Sequence, residues 1–131
     1  MNTKLNRILA EISAGELIDK ITILEIKKMK ITNKDKLSEI EKELTSLNET
    51  MKKFIPDPSV IKKFKKDLKE INLKLWDIEN GKRLAEKNND FGEKFIELAR
   101  NVYKINDERA KVKLSINDAL GSNIKEVKSY E

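Results

Sequence analysis

Two runs of side chains have the types and spacing to do chemistry. Trp76, Glu79 and Arg83 stand three and four residues apart, as do Ala99, Tyr103, Asn106 and Ala110, with Arg100 and Asp107 flanking the second run. On α-helices such steps place each run on one face. Arginine recognises carboxylate and phosphate bidentately, and Trp and Tyr combine apolar area with a hydrogen-bonding tip. The simpler reading is a second packing surface with paired charges at its rim. The sharper reading is a partner surface, or a small anionic-ligand site (sugar-nucleotide or phosphate) built on Arg83, Arg100 and Arg109 with Tyr103 and Asp107 beside them.

Arg109 is also the only charge in an otherwise apolar helical register. Such a residue either snorkels to water on its long stem or is paired, because an unpaired buried charge is costly. Snorkelling is the expectation here. Asp107 and Glu108 are too close in sequence to be helical partners, so pairing would need a carboxylate from another helix.

Lysines form a second cluster. Residues 51–75 hold eight lysines against three acids, while the rest of the chain balances at twenty of each sign, so the formal charge of +5 is local. Lys62, Lys66 and Lys69 share a face and make a candidate anion patch, with nucleic acid a lesser alternative whose affinity would fall with salt. The window has no Arg, and its phenylalanines belong to an apolar seam, so a solvated face is the plainer expectation.

Other chemistries find little support. The chain has no Cys and no His, which removes thiolate chemistry, the commonest metal ligand and the commonest acid–base group at neutral pH. This weighs against an enzyme, although carboxylates, Lys, Arg, Tyr or Ser remain. The pairs Glu16/Asp19, Glu39/Glu43 and Glu93/Glu97 read as helix-surface acids rather than Mg²⁺ ligands. No phosphate loop or nucleophile elbow is present, and no cofactor or metal is expected.

The elements that position these residues are legible in the apolar spacing. Leu37, Ile40, Leu44, Leu47, Met51 and Phe54 alternate three- and four-residue steps. So do Ile61, Phe64, Leu68, Ile71, Leu75 and Ile78, and then Phe91, Phe95, Leu98, Val102, Ile105, Val112, Ile116 and Ala119. Such stripes face partner helices. After a lead-in over 1–12, helices are predicted over 13–31, 33–54, 58–87 and 90–120, followed by a tail over 121–131 with a loose turn around Ile124, Val127 and Tyr130. Ser13/Glu16 and Asp90/Glu93 fit capping boxes, Asn33 a cap, and Asp57-Pro58 a restart after Pro56. Gly81 allows a bend in the third helix. The first helix carries apolar residues on more than one face, as expected of a helix buried on two sides or at a subunit interface.

Pairing the third and fourth helices so that residue numbers sum to about 180 makes nearly every facing pair apolar, with Ile71 opposite Arg109 the exception. The expected fold is all-α: one domain of four long helices in two antiparallel hairpins with coiled-coil-like packing. Thin bundles bury little surface alone, so a homodimer is expected, with an unidentified protein as a further partner. No apolar run is long enough to span a membrane, and a cytoplasmic location is expected.

The stretch Ile12-Ser13-Ala14-Gly15-Glu16-Leu17-Ile18-Asp19-Lys20-Ile21-Thr22-Ile23-Leu24-Glu25-Ile26-Lys27 resembles the opening of a small, uncharacterised family of bacterial and phage-encoded proteins. The likeness continues in Leu75-Trp76-Asp77-Ile78-Glu79 with Arg83, in Phe95 to Tyr103, in Asn106-Asp107 and Arg109-Ala110, and in Gly121-Ser122 and Lys128-Ser129-Tyr130. The chain departs from the pattern at Asn80-Gly81-Lys82 and at Val127. The resemblance implies no established activity. It implies companionship with sugar-transfer and surface-polysaccharide genes, hence an accessory role.

Overall fold

The computed structural model describes residues 4–129. Four helices, α1 (Ala14–Lys30), α2 (Lys34–Phe54), α3 (Lys62–Lys87) and α4 (Glu93–Leu120), pack as an all-α bundle, with a 3₁₀ turn over Pro58–Val60. Among the described residues there is no strand.

Local chemistry explains most boundaries. Asn33 caps α2 by accepting the Lys36 amide at 3.0 Å. Asp57 accepts the Ser59 amide at 3.1 Å, and Pro58 opens the 3₁₀ turn. The chain then enters α3 at Lys62 rather than running helical from Pro58. α3 continues straight through Gly81, where a Cβ would stand 3.3 Å from Leu98 of the facing helix. The fourth helix starts at Glu93, three residues later than its sequence suggests. Asp90 turns its carboxylate onto the Gly92 amide at 3.2 Å and does not cap Glu93. Gly121 ends α4 in the left-handed conformation at φ 62°, which glycine adopts without a Cβ penalty. Ile124 and Val127 are exposed in an irregular tail, and Tyr130 lies outside the described residues.

α3 and α4 form the long hairpin. α1 lies across it, its first turns against α4 and its middle against α3. α2 folds back along α1, with Lys28 paired to Glu41 at 3.5 Å. Only Ile40 of α2 is buried, whereas α1 buries Leu17, Ile18, Ile21, Leu24 and Ile26. The first helix is therefore covered on several sides, and its excess of apolar residues is used. The deepest cluster is Ile18, Ile61, Leu68 and Ile116, joined by Met51 and Ile55 from the end of α2.

This core occupies one half of the hairpin. The last buried residue of α3 is Asn72, and the first of α4 is Lys113. Between them the two helices run on as a two-helix arm whose seam residues, such as Ile78 and Leu98, are only half-buried.

Close approach of α1 to α4 depends on Gly15. A Cβ there would fall well inside van der Waals contact distance of the Lys113 carbonyl oxygen and lie 3.0 Å from the Asn117 side-chain oxygen. Both are fixed, so the helices would have to separate. Gly15→Ala should lower stability by about 1–3 kcal/mol in urea unfolding. Gly92→Ala, whose Cβ would meet only Asp90 at 3.5 Å, should change it by less than about 0.5 kcal/mol.

Candidate functional site

The most elaborate chemistry lies where α1 crosses the hairpin. Asp19 is 1% exposed, yet it carries a carboxylate. Arg109 reaches it from α4, Nε donating to Oδ1 at 3.0 Å and Nη2 to Oδ2. Asn72 of α3 donates to the same Oδ1 at 2.9 Å and to the Thr22 hydroxyl at 2.9 Å. Thr22 donates in turn to the Asp19 carbonyl at 2.8 Å. Arg109 does not snorkel. It is held by a carboxylate ninety positions away, and the hydrogen bond to Asp19 raises its pKa above the ordinary value. Among the described residues no buried side-chain polar atom lacks a partner, which a buried ionic network requires.

One helical turn nearer the start of α1 a second pair joins this network. Lys113 of α4 is buried, donates to Glu16 at 2.6 Å and to Glu126 of the tail at 3.0 Å, and stands 3.9 Å from Asp19. Burial pushes the Lys113 pKa down, but the hydrogen bonds to Glu16 and Glu126 outweigh it and the net shift is upward. Glu126, fixed by Lys128 at 2.5 Å and by Lys113, drops to about 2. Glu16 is thus diverted from the reciprocal half of its capping box. The Ser13 hydroxyl still accepts the Glu16 amide at 3.1 Å. The Gly15 amide donates to Asn117 at 2.7 Å and the Ala14 amide to Ser122 at 3.1 Å, so α4 and its exit supply what a buried helix start otherwise lacks. The pair Glu16/Asp19 is not surface acid of the generic kind. Its carboxylates are bound to Lys113 and Arg109.

Grooves flank this junction on both sides. One, of about 420 Å³, is lined by Trp76, Glu79, Arg83, Asn106 and Arg109 together with Ile23 and Ile26 of α1. The other, of about 640 Å³, is lined by Tyr103, Asn106, Asp107, Arg109 and Lys128. The aromatic and arginine residues singled out in the sequence therefore divide. Trp76 and Tyr103 serve different grooves, Asn106 and Arg109 serve both, and Arg100 lies on neither. Asp19, Thr22, Asn72 and Lys113 gave no sequence signal as site residues. Only the odd charge at Arg109 hinted that a buried acid must exist.

The lysine patch lines a third groove of about 590 Å³ beside Met51, Asp57 and Ile61. Glu25 of α1 claims part of it, pairing with Lys65 at 3.3 Å and Lys69 at 3.8 Å. Lys62 and Lys66 are exposed and carry no ion pair among the described residues. Those residues also contain no cluster of three or more acids able to hold a metal ion.

Residues 8–131 match a protein family described as a family of unknown function, DUF6165. No curated protein and no solved structure matches the chain.

Removing the buried carboxylate should be severe. Asp19→Ala is expected to cost about 2–4 kcal/mol in denaturant unfolding, because half-buried Arg109 loses its carboxylate and buried Asn72 loses an acceptor. The double change Asp19→Leu with Arg109→Met should cost less than the single one. The Glu126 contact adds a pH dependence. With a pKa depressed from 4.5 to about 2, it favours the docked tail fully above pH 4.5 and loses that effect as pH falls through about 2. Amide resonances of residues 124–128 should titrate with that low midpoint.

Proposed function

We propose, for a chain that belongs to the DUF6165 family of unknown function, that it is a non-enzymatic interaction protein that works as a homodimer joined through the α3–α4 arm. The observation that carries this reading is the end of the core at Asn72 and Lys113. Beyond it, Leu84, Phe91, Ile96 and Tyr103 are each more than half exposed. Two helices with a half-covered apolar seam are marginal alone, and a second pair laid against them makes a four-helix arrangement.

A second copy is the occupant the arm's charge favours. Residues 73–112 carry nine cations and eight carboxylates, so two copies meet without net repulsion. The lysine-rich half would repel its own kind. The lead-in adds apolar surface for a protein partner. Leu5, Ile8 and Leu9 keep helical spacing in an irregular segment and are 79%, 81% and 89% exposed. Among the described residues no helix is long and apolar enough to cross a membrane, and the reading places this interaction protein in the cytoplasm. An accessory role beside sugar-transfer or surface-polysaccharide enzymes fits the same picture.

The wild-type chain should sediment as a dimer at micromolar concentration. Leu84→Asp combined with Ile96→Asp should give a monomer with an unchanged helical circular-dichroism spectrum, since both side chains are exposed. A wild-type chain that stays monomeric at several hundred micromolar overturns the reading.

A further inference from the structure

We propose that the 420 Å³ groove between α1 and the hairpin binds a mononucleotide, its planar base stacked on Trp76 and its phosphate held by Arg83. The volume is in the range of small-molecule sites. Ile23, Ile26 and Leu75 give the groove apolar walls, and half-buried Trp76 lines the same space. An indole placed in this way is a stacking platform for a planar ring.

The polar groups are unequal, and the inequality selects an anion. Glu79 turns to Lys82 at 3.4 Å. Arg83, one turn on, has no carboxylate within 4.0 Å among the described residues. Its guanidinium is the uncompensated charge of the groove. Arg109 is oriented by Asp19 and gives one weak bond to Asn106 at 3.4 Å. Three of its five N–H groups are thereby engaged and two remain for a ligand oxygen. A phosphate monoester, with up to two charges and three acceptor oxygens, suits one free guanidinium and one pre-oriented guanidinium. Asn80 and Asn106 add carboxamides that can donate to and accept from a ring edge.

Trp76 is the only tryptophan of the chain, so its fluorescence reports the groove directly. The test titrates the full chain with each of the four ribonucleoside 5′-monophosphates, the corresponding nucleosides, inorganic phosphate and a single-stranded hexanucleotide. At least one monophosphate should quench the emission saturably. Its nucleoside should bind about tenfold or more weakly, and Arg83→Ala, a change at an exposed position, should weaken the monophosphate by a similar factor. Thermal stabilisation by the same monophosphate should shrink in parallel. Absence of saturable quenching by any monophosphate at millimolar concentration overturns the proposal. So does equal affinity for the nucleoside, an unchanged affinity in Arg83→Ala, or binding confined to the hexanucleotide.

Discussion

The Asp19 carboxylate is 1% exposed, and a charge so far removed from water is costly unless other groups replace its hydration. Here the replacements come from two other helices, the Arg109 fork of α4 and the Asn72 amide of α3, with Thr22 of its own helix completing the circuit. Apolar contacts such as Ile18 against Leu68 tolerate small slides and rotations, whereas a fork gripping a carboxylate does not. The network therefore fixes the rotation of α1 about its axis and its height on the hairpin. Such pairs add little net stability over a well-packed apolar alternative. What this one supplies is a single answer to where α1 must sit.

The start of α1 is the second consequence. A helix whose first turn is buried must find partners for its free amides, and α1 finds them in Ser13, Asn117 and Ser122. The bonds to Asn117 and Ser122 require α4 to come within reach, which only glycine at position 15 permits. They also require the chain to turn back after α4, which Gly121 allows in its left-handed conformation. The tail then brings Glu126 to Lys113. The start of α1, the end of α4 and the tail are thus joined, and the bonds to Asn117 and Ser122 depend on the α1–α4 approach. Several stretches that carry the family resemblance, around Ser13, Asp19, Arg109 and Ser122, meet in this one region.

How much of this the sequence discloses depends on the range of the interaction. The apolar steps define the three later helices and the hairpin register. Gly81 faces Leu98, and Phe64, Leu68, Val112 and Ile116 share one cluster, as numbers summing to about 180 require. Local caps at Ser13, Asn33 and Asp57 are equally legible, because donor and acceptor lie within three residues. The failures are long-range. Glu16 fits a capping box, but a buried lysine ninety-seven positions later is the stronger attraction. Asp19 looks like any helix-surface acid until the crossing of α1 buries it. Arg109 is conspicuous for its register, yet nothing near it in sequence names its partner. Asp90 shows the smaller limit, since a turn can take the same carboxylate that a capping box would use.

The division of the hairpin into a packed half and an uncovered half ties these points to function. In the packed half the polar groups at the helix crossings are committed: Asp19 to Arg109, Glu16 and Glu126 to Lys113, Glu25 to Lys65 and Lys69. Groups so engaged are poor acids, bases or nucleophiles, because reacting would break the bonds that hold the helices in place. Chemistry remains available at the border, where Trp76 and Arg83 leave the core and Arg109 shows the outer side of its guanidinium. The border is also where a rigid frame meets an arm with spare apolar surface. A ligand seated there would touch α1, α3 and α4 together, so its binding would stiffen the root of the arm, and any partner that docks on the arm would feel that change.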